Sequence, residues 1–134
     1  MRTFSLLAAL PLIASCATIG AQPPKLADTQ WRIVAIDGAA PVSAKARLSF
    51  TRDRISATVG CNGLGGSWEQ RGDRLITGPF MSTQMYCDGL MEQERATSAV
   101  LGSSPHYVAG SNRMTLHGGG HELRLERELN PPQP

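Results

Sequence analysis

Aromatic side chains are scarce: two Trp, two Tyr and three Phe among 134 residues. So few offer no evident platform for stacking sugars or bases. Charge of either sign is also sparse and dispersed, 13 Lys and Arg against 11 Asp and Glu, with no basic block. That balance argues against a nucleic-acid surface, which needs clustered cations. No apolar run approaches the roughly 20 residues that carry a helix across a bilayer. Nucleophile motifs are missing too, with neither Gly-x-Ser-x-Gly nor Ser-x-x-Lys. The glycine-rich stretch 60–66 lacks the Lys and Ser/Thr of a phosphate loop. Neither an enzyme nor a cofactor is expected on these grounds. What the chain does have is turn formers: 14 Gly and nine Pro, the usage of a β-rich domain.

The first residues have a different character. Arg2 is followed by the short apolar run Leu6 to Leu12, interrupted by Pro11, and then by Ile13-Ala14-Ser15-Cys16. A basic start, an apolar centre and small residues before a cut site form a secretory signal peptide. The last four residues resemble the lipobox of bacterial lipoproteins. That resemblance implies cleavage before Cys16, a diacylglycerol on its thiol and an acylated new amino terminus. Each buried CH2 contributes ~0.8 kcal/mol, and two or more chains anchor stably. Residues 1–15 thus read as leader, and the mature protein as membrane-bound through Cys16. Ala17 favours the outer membrane, because lipoproteins held at the inner membrane often carry Asp there.

Two cysteines remain for the envelope, Cys61 and Cys87. In an oxidising compartment such a pair is most simply a disulfide. A redox pair or a metal pair is the alternative, although neither residue lies in a C-x-x-C motif. Residues 16–27 read as a tether, small, polar and Pro-containing. Residues 28–128 form one domain, and 129–134 read as a disordered tail.

Within the domain, strands are expected at Trp31–Ile36, Ala46–Phe50, Arg54–Val59, Ser67–Gln70 and Leu75–Phe80, the last at an edge because Pro79 cannot donate to a ladder. Gly60 to Gly66 reads as a turn. One helix is expected from Asp88, as N-cap, to Leu101. Its stripe is Leu90, Met91, Glu94, Thr97, Val100 and Leu101. Three strands finish the chain: His106–Ala109, Met114–His117 and Glu122–Glu126. Together these give an α+β fold, about eight short antiparallel strands in a strongly bent sheet packed on one helix.

The order of landmarks resembles the META domain family, which includes HslJ-like bacterial lipoproteins. A Trp-led strand comes first, here at Trp31. Gly60-Cys61-Asn62 follows, with Gly66 downstream, and then Thr-x-Met-x-Cys at Thr83, Met85 and Cys87. The resemblance covers about residues 25–128. It implies a cracked-barrel-like sheet, no enzymatic activity, and a link to heat response and drug tolerance. Its shared residues look architectural. A bridge between Cys61 and Cys87 would pin the helix start to the sheet, with Thr83 and Met85 packed beside it. Asn62 suits a tight left-handed turn; a shared polar or ligand-binding role with Thr83 is the less conservative reading.

Remaining candidates are weaker. His117 and His121, separated by three glycines, could meet across a hairpin beside Glu122, but a metal wants more ligands; solvated turn residues are the expectation, with no metal site. Glu92 and Glu94 are two apart on the helix and read as solvated rather than as an acid/base pair. Met81, Met85 and Met91 read as core. The expected function is therefore that of a lipid-anchored envelope protein, on the outer membrane facing the periplasm, acting in stress or drug tolerance by binding another envelope component. The alternatives are a carrier of an apolar ligand or peptide between helix and sheet, and an inhibitor of a periplasmic hydrolase such as lysozyme.

Overall fold

The computed structural model describes Gly20 and residues 22–129. The leader 1–15, the lipidation candidate Cys16 and residues 130–134 of the expected tail lie outside the described residues. Nine strands and one helix follow in order: β1 (Thr29–Ile36), β2 (Arg47–Phe50), β3 (Arg54–Thr58), β4 (Gly63–Arg71), β5 (Arg74–Thr77), β6 (Met81–Ser82), α1 (Met91–Gly102), β7 (His106–Ala109), β8 (Arg113–Gly118) and β9 (His121–Arg127). No helix among the described residues is long and apolar enough to cross a membrane.

The expected bent antiparallel sheet is present, and it closes on itself. Strands pair in the order β3-β2-β1-β9-β8-β7-β5-β4, and β4 returns to β3 over Arg54↔Ser67 to Thr58↔Gly63. The result is a closed eight-stranded antiparallel barrel with, among the described residues, a single helix. Closure removes exposed sheet edges. The short β6 is an addition, paired to the second edge of β4 at Leu64 and Gly65.

Alternation explains the interior. Trp31 and Ile33 point inward from β1, Leu48 and Phe50 from β2, and Leu123 and Leu125 from β9, each no more than 2% exposed. Ile36 also points inward, three residues after Ile33, where strict alternation would turn it out. The register against β9 shifts between Ile33 and Ala35, and this irregularity restores the inward direction. Phe50 meets Trp68 edge to face at 4.8 Å between ring centroids.

The helix lies across one end of the barrel, where the β1–β2 loop, the β3–β4 turn and the β8–β9 turn gather. Ala96, Thr97, Val100 and Leu101 are buried there. Gln93 holds the β1–β2 loop through Val42 N–H and Ala40 O. Gly119 allows the closest approach: its φ is +59°, and a Cβ there would lie 2.5 Å from the Ala99 carbonyl oxygen.

The chain enters at the opposite end. Leu26 is buried in the core, the Gln70 side-chain amide donates to Pro24 O, and the Tyr107 hydroxyl donates to Gly72 O. This corrects the expected tether boundary at residue 27. Leu26 carries enough apolar surface to be drawn into the core, and Pro24 just before it is half-buried and held by Gln70.

Three further boundaries differ from expectation. Gly63 to Gly66 belongs to β4 rather than to a turn, because β3 and β6 hold its backbone from both sides. The strand at Leu75 stops at Thr77, before Pro79. The helix begins at Met91 after Leu90, with no side-chain cap, so Asp88 is not the N-cap. A turn closed by Leu90 N–H to Cys87 O, with Gly89 at φ +77°, lies between them.

Candidate functional site

The residues singled out in the sequence converge where β3 turns into β4. β3 ends at Thr58, and Gly60 then takes φ +106°. A Cβ at Gly60 would lie 2.5 Å from Ser43 Oγ, so both backbone and space require glycine. Cys61 follows and is bonded to Cys87, with Cα atoms 5.9 Å apart. The disulfide ties the start of the segment before α1 to the sheet.

Asn62 comes next and is only 2% exposed. Its side-chain Nδ2 donates to Glu94 Oε1 at 2.7 Å and to Met85 O at 2.9 Å. Its Oδ1 accepts from Met85 N–H at 2.7 Å and from Thr83 Oγ1 at 2.9 Å. Its backbone N–H donates to Glu94 Oε2 at 3.0 Å. Both amide protons and both oxygen lone pairs are therefore used. Asn62 joins three separate stretches of chain, the β3–β4 turn, the segment 83–85 and the first turn of α1.

This arrangement corrects several expectations. Asn62 is not in the left-handed region; Gly60 takes that conformation. Glu94 was expected to be solvated, yet it is 8% exposed and buried against Asn62. The signal was present, because Glu94 shares the stripe of Thr97 and Leu101. Thr83 does reach the cluster, but Met85 joins only through its backbone and its side chain is 57% exposed. Met81 is exposed as well, so neither methionine fills the core. Met81 is one of the two residues of β6 and Met85 lies three residues beyond that strand, so no second layer covers either side chain.

The other family positions are structural. Trp31 is buried, with its indole N–H on Thr29 Oγ1 at 2.8 Å. Gly66 faces the barrel interior, where a Cβ would meet Pro79 O at 3.0 Å and the Phe80 ring at 3.2 Å. A glycine here lets Phe80 pack against the strand.

The histidines do not converge. His121 Nδ1 lies 2.6 Å from Asp37 Oδ2, and His117 Nδ1 lies 3.5 Å from Glu122 Oε2. Asp37 sits at φ +51° in the turn after β1. The Glu122 N–H on its carboxylate, and then the His121 ring, hold its pKa below the usual carboxylate value. Among the described residues no three His, Cys, Asp or Glu side chains group to hold a metal ion.

The arrangement of Gly60, Cys61, Asn62, Thr83, Met85 and Cys87 around one saturated amide is accompanied by a direct match: the profile of the META domain covers residues 24–129. The chain belongs to the META domain family. No curated protein matches the sequence at a significant level. Two solved structures share the META domain's fold. One is the NMR structure of a protein from Burkholderia xenovorans, 24% identical, with TM-score 0.64, covering 78% of this chain and 85% of that one. The other is also an NMR structure, 22% identical, with TM-score 0.67, covering 75% of this chain and 90% of that one. At these identities the likeness concerns the fold alone.

Proposed function

We propose that this META domain is a lipid-anchored protein of the bacterial envelope that works by presenting a rigid recognition segment, residues 81–90, to a protein partner rather than by catalysis. One observation carries this reading. Met81, Met85 and Tyr86 are 79%, 57% and 78% exposed, three large apolar side chains within six residues. They sit on a segment held by the disulfide and by Asn62. Exposed apolar side chains in a cluster mark interaction surfaces, Met and Tyr are favoured there, and a preorganised segment loses less entropy on binding.

The direction of display supports the same reading. The chain enters at the end of the barrel opposite α1 and the disulfide. An anchor at Cys16, on the lipobox-like Ile13-Ala14-Ser15-Cys16, leaves the 81–90 segment pointing away from the lipid surface. An outer-membrane anchor facing the periplasm and a role in stress or drug tolerance belong to this proposal. The carrier alternative draws no support, because Ala96, Thr97, Val100 and Leu101 fill the space between helix and barrel. The hydrolase-inhibitor alternative uses the same projecting segment and is one form of the proposal.

The test is complementation of a deletion strain. The double variant Met85→Ser/Tyr86→Ser should fold and reach the membrane fraction yet fail to restore tolerance to heat or drug. Full restoration by this variant would sink the proposal. Mixing the purified protein with lysozyme and following cell-wall lysis tests the inhibitor form.

A further inference from the structure

An open trough of about 530 Å³ runs over the outer wall of the barrel, across β2, β3, β4 and β6. The registers define it. Ser49 pairs with Ser56, Ser56 with Gly65, and Gly65 with Met81. In the next row Thr58 stands between Arg47 and Gly63. The floor is thus Ser49, Ser56, Thr58, Gly63 and Gly65, with no side chain longer than threonine. Arg47, Arg54 and Met81 rise around it.

Two features set it apart from an ordinary solvated sheet face. The first is Gly63. Its φ is not positive, and a Cβ there would meet nothing within 4 Å. Neither backbone nor packing asks for glycine at this first position of β4, and the bare backbone there lets a ligand approach the floor closely. The second is charge. Among the described residues Arg54 makes no ion pair, and its Nη2 comes to 3.0 Å from the Cβ position of Gly65, lying over the floor. Arg47 is only loosely matched, at 3.6 Å from Glu128 Oε1. No Asp or Glu among the described residues lines the trough.

We propose that this trough, floored by Ser56, Thr58, Gly63 and Gly65 and flanked by Arg54 and Arg47, binds an acidic saccharide. Guanidinium groups take carboxylates through paired N–H donors. The serine and threonine hydroxyls both donate and accept, as sugar hydroxyls require. A peptide strand fits less well, because β3 and β4 are already paired on both edges and offer no free backbone ladder. Recognition here runs through charge and hydroxyls, without aromatic stacking. The trough shares Met81 with the recognition segment, but Met85 and Tyr86 lie outside it, so the two surfaces are separable by substitution at Tyr86.

The test is nuclear magnetic resonance titration of the full processed chain with a trimer of galacturonic acid. Neutral chitotriose, tetraglutamate and inorganic phosphate serve as comparisons. The galacturonate trimer should move the amide signals of residues 56–58 and 63–65, and chitotriose should not. Arg54→Gln removes an exposed charge and should raise the dissociation constant about tenfold. Gly63→Val fills the floor, keeps both arginines and suits a strand, so it should abolish binding while the rest of the spectrum is unchanged. Tyr86→Ser should bind as the native chain does. Unmoved trough signals, binding undiminished in Gly63→Val, equal shifts with phosphate, or tighter binding of tetraglutamate would each overturn the proposal, the last in favour of an acidic peptide.

Discussion

Asn62 shows how one buried amide organises a site. A side-chain amide in a core is tolerated only when all its hydrogen-bonding capacity is met, and here Glu94, Thr83 and Met85 meet it. Asn62→Ala would remove the partner of Glu94 Oε1, of the Thr83 hydroxyl and of the Met85 backbone, leaving Glu94 only the bond from the residue-62 backbone N–H. Hydrogen bonds to charged groups contribute about 1.5–3 kcal/mol, so this substitution should destabilise the fold by about 3 kcal/mol, read from urea unfolding midpoints. Asn62→Asp should be no better, because it sets a second carboxylate against Glu94. Asp37 gives a different signature. Its carboxyl is held below the ordinary value in the folded state, so the stability it contributes is present above about pH 4 and is lost as pH falls through the depressed folded value. In unfolding experiments from pH 7 to pH 2, the native chain should therefore lose its advantage over Asp37→Asn in the acid range. A constant difference would assign Asp37 a purely steric role in its turn.

At the scale of elements, the disulfide and the glycines of β4 do opposite things. The bridge between Cys61 and Cys87 closes a loop with a sequence separation of 26. In the chain-entropy view such a loop stabilises by about 3.5 kcal/mol. The double variant Cys61→Ser/Cys87→Ser should lose about that much. The loss should be concentrated in residues 81–90, where amide exchange should quicken before the barrel opens. Glycines in β4 cost strand stability, yet the element forms because β3 and β6 hold it from both edges. Composition therefore pointed to a turn where pairing made a strand. The helix behaved similarly at its start: Asp88 suits an N-cap chemically, but the disulfide and the Gly89 turn delay the first helical residue to Met91. The body of the helix was legible, since its apolar stripe and its end near Gly102 depend on local spacing.

At the scale of the molecule, the barrel has one thin seam. β5 and β7 share a single register pair, Arg74↔His106, with backbone hydrogen bonds from Leu75 to Pro105 and from Tyr107 to Asp73 beside it. By contrast β8 and β9 pair over six positions, from Arg113↔Glu126 to Gly118↔His121. Local opening draws on the least-bonded region. The amides of Leu75 and Tyr107 should exchange faster than those of Leu116 and Leu123, although all four side chains are buried. Equal protection would mean that the barrel opens only as a whole.

The sequence by itself determined the local and periodic features: most strands, the helix body, the disulfide pairing, and the family through Gly60-Cys61-Asn62 and Thr83-x-Met85-x-Cys87. These depend on alternation, on turn chemistry and on which residue types sit at fixed spacings. Closure of the sheet, burial of Glu94, exposure of Met81 and Met85, and the trough beside Arg54 were decided only by the tertiary structure. Each depends on segments far apart in the chain. Glu94 meets Asn62 across 32 residues, and β3 meets β4 along both glycines of the trough floor. Side-chain character sets what a residue prefers to touch, but the path of the barrel sets what is within its reach.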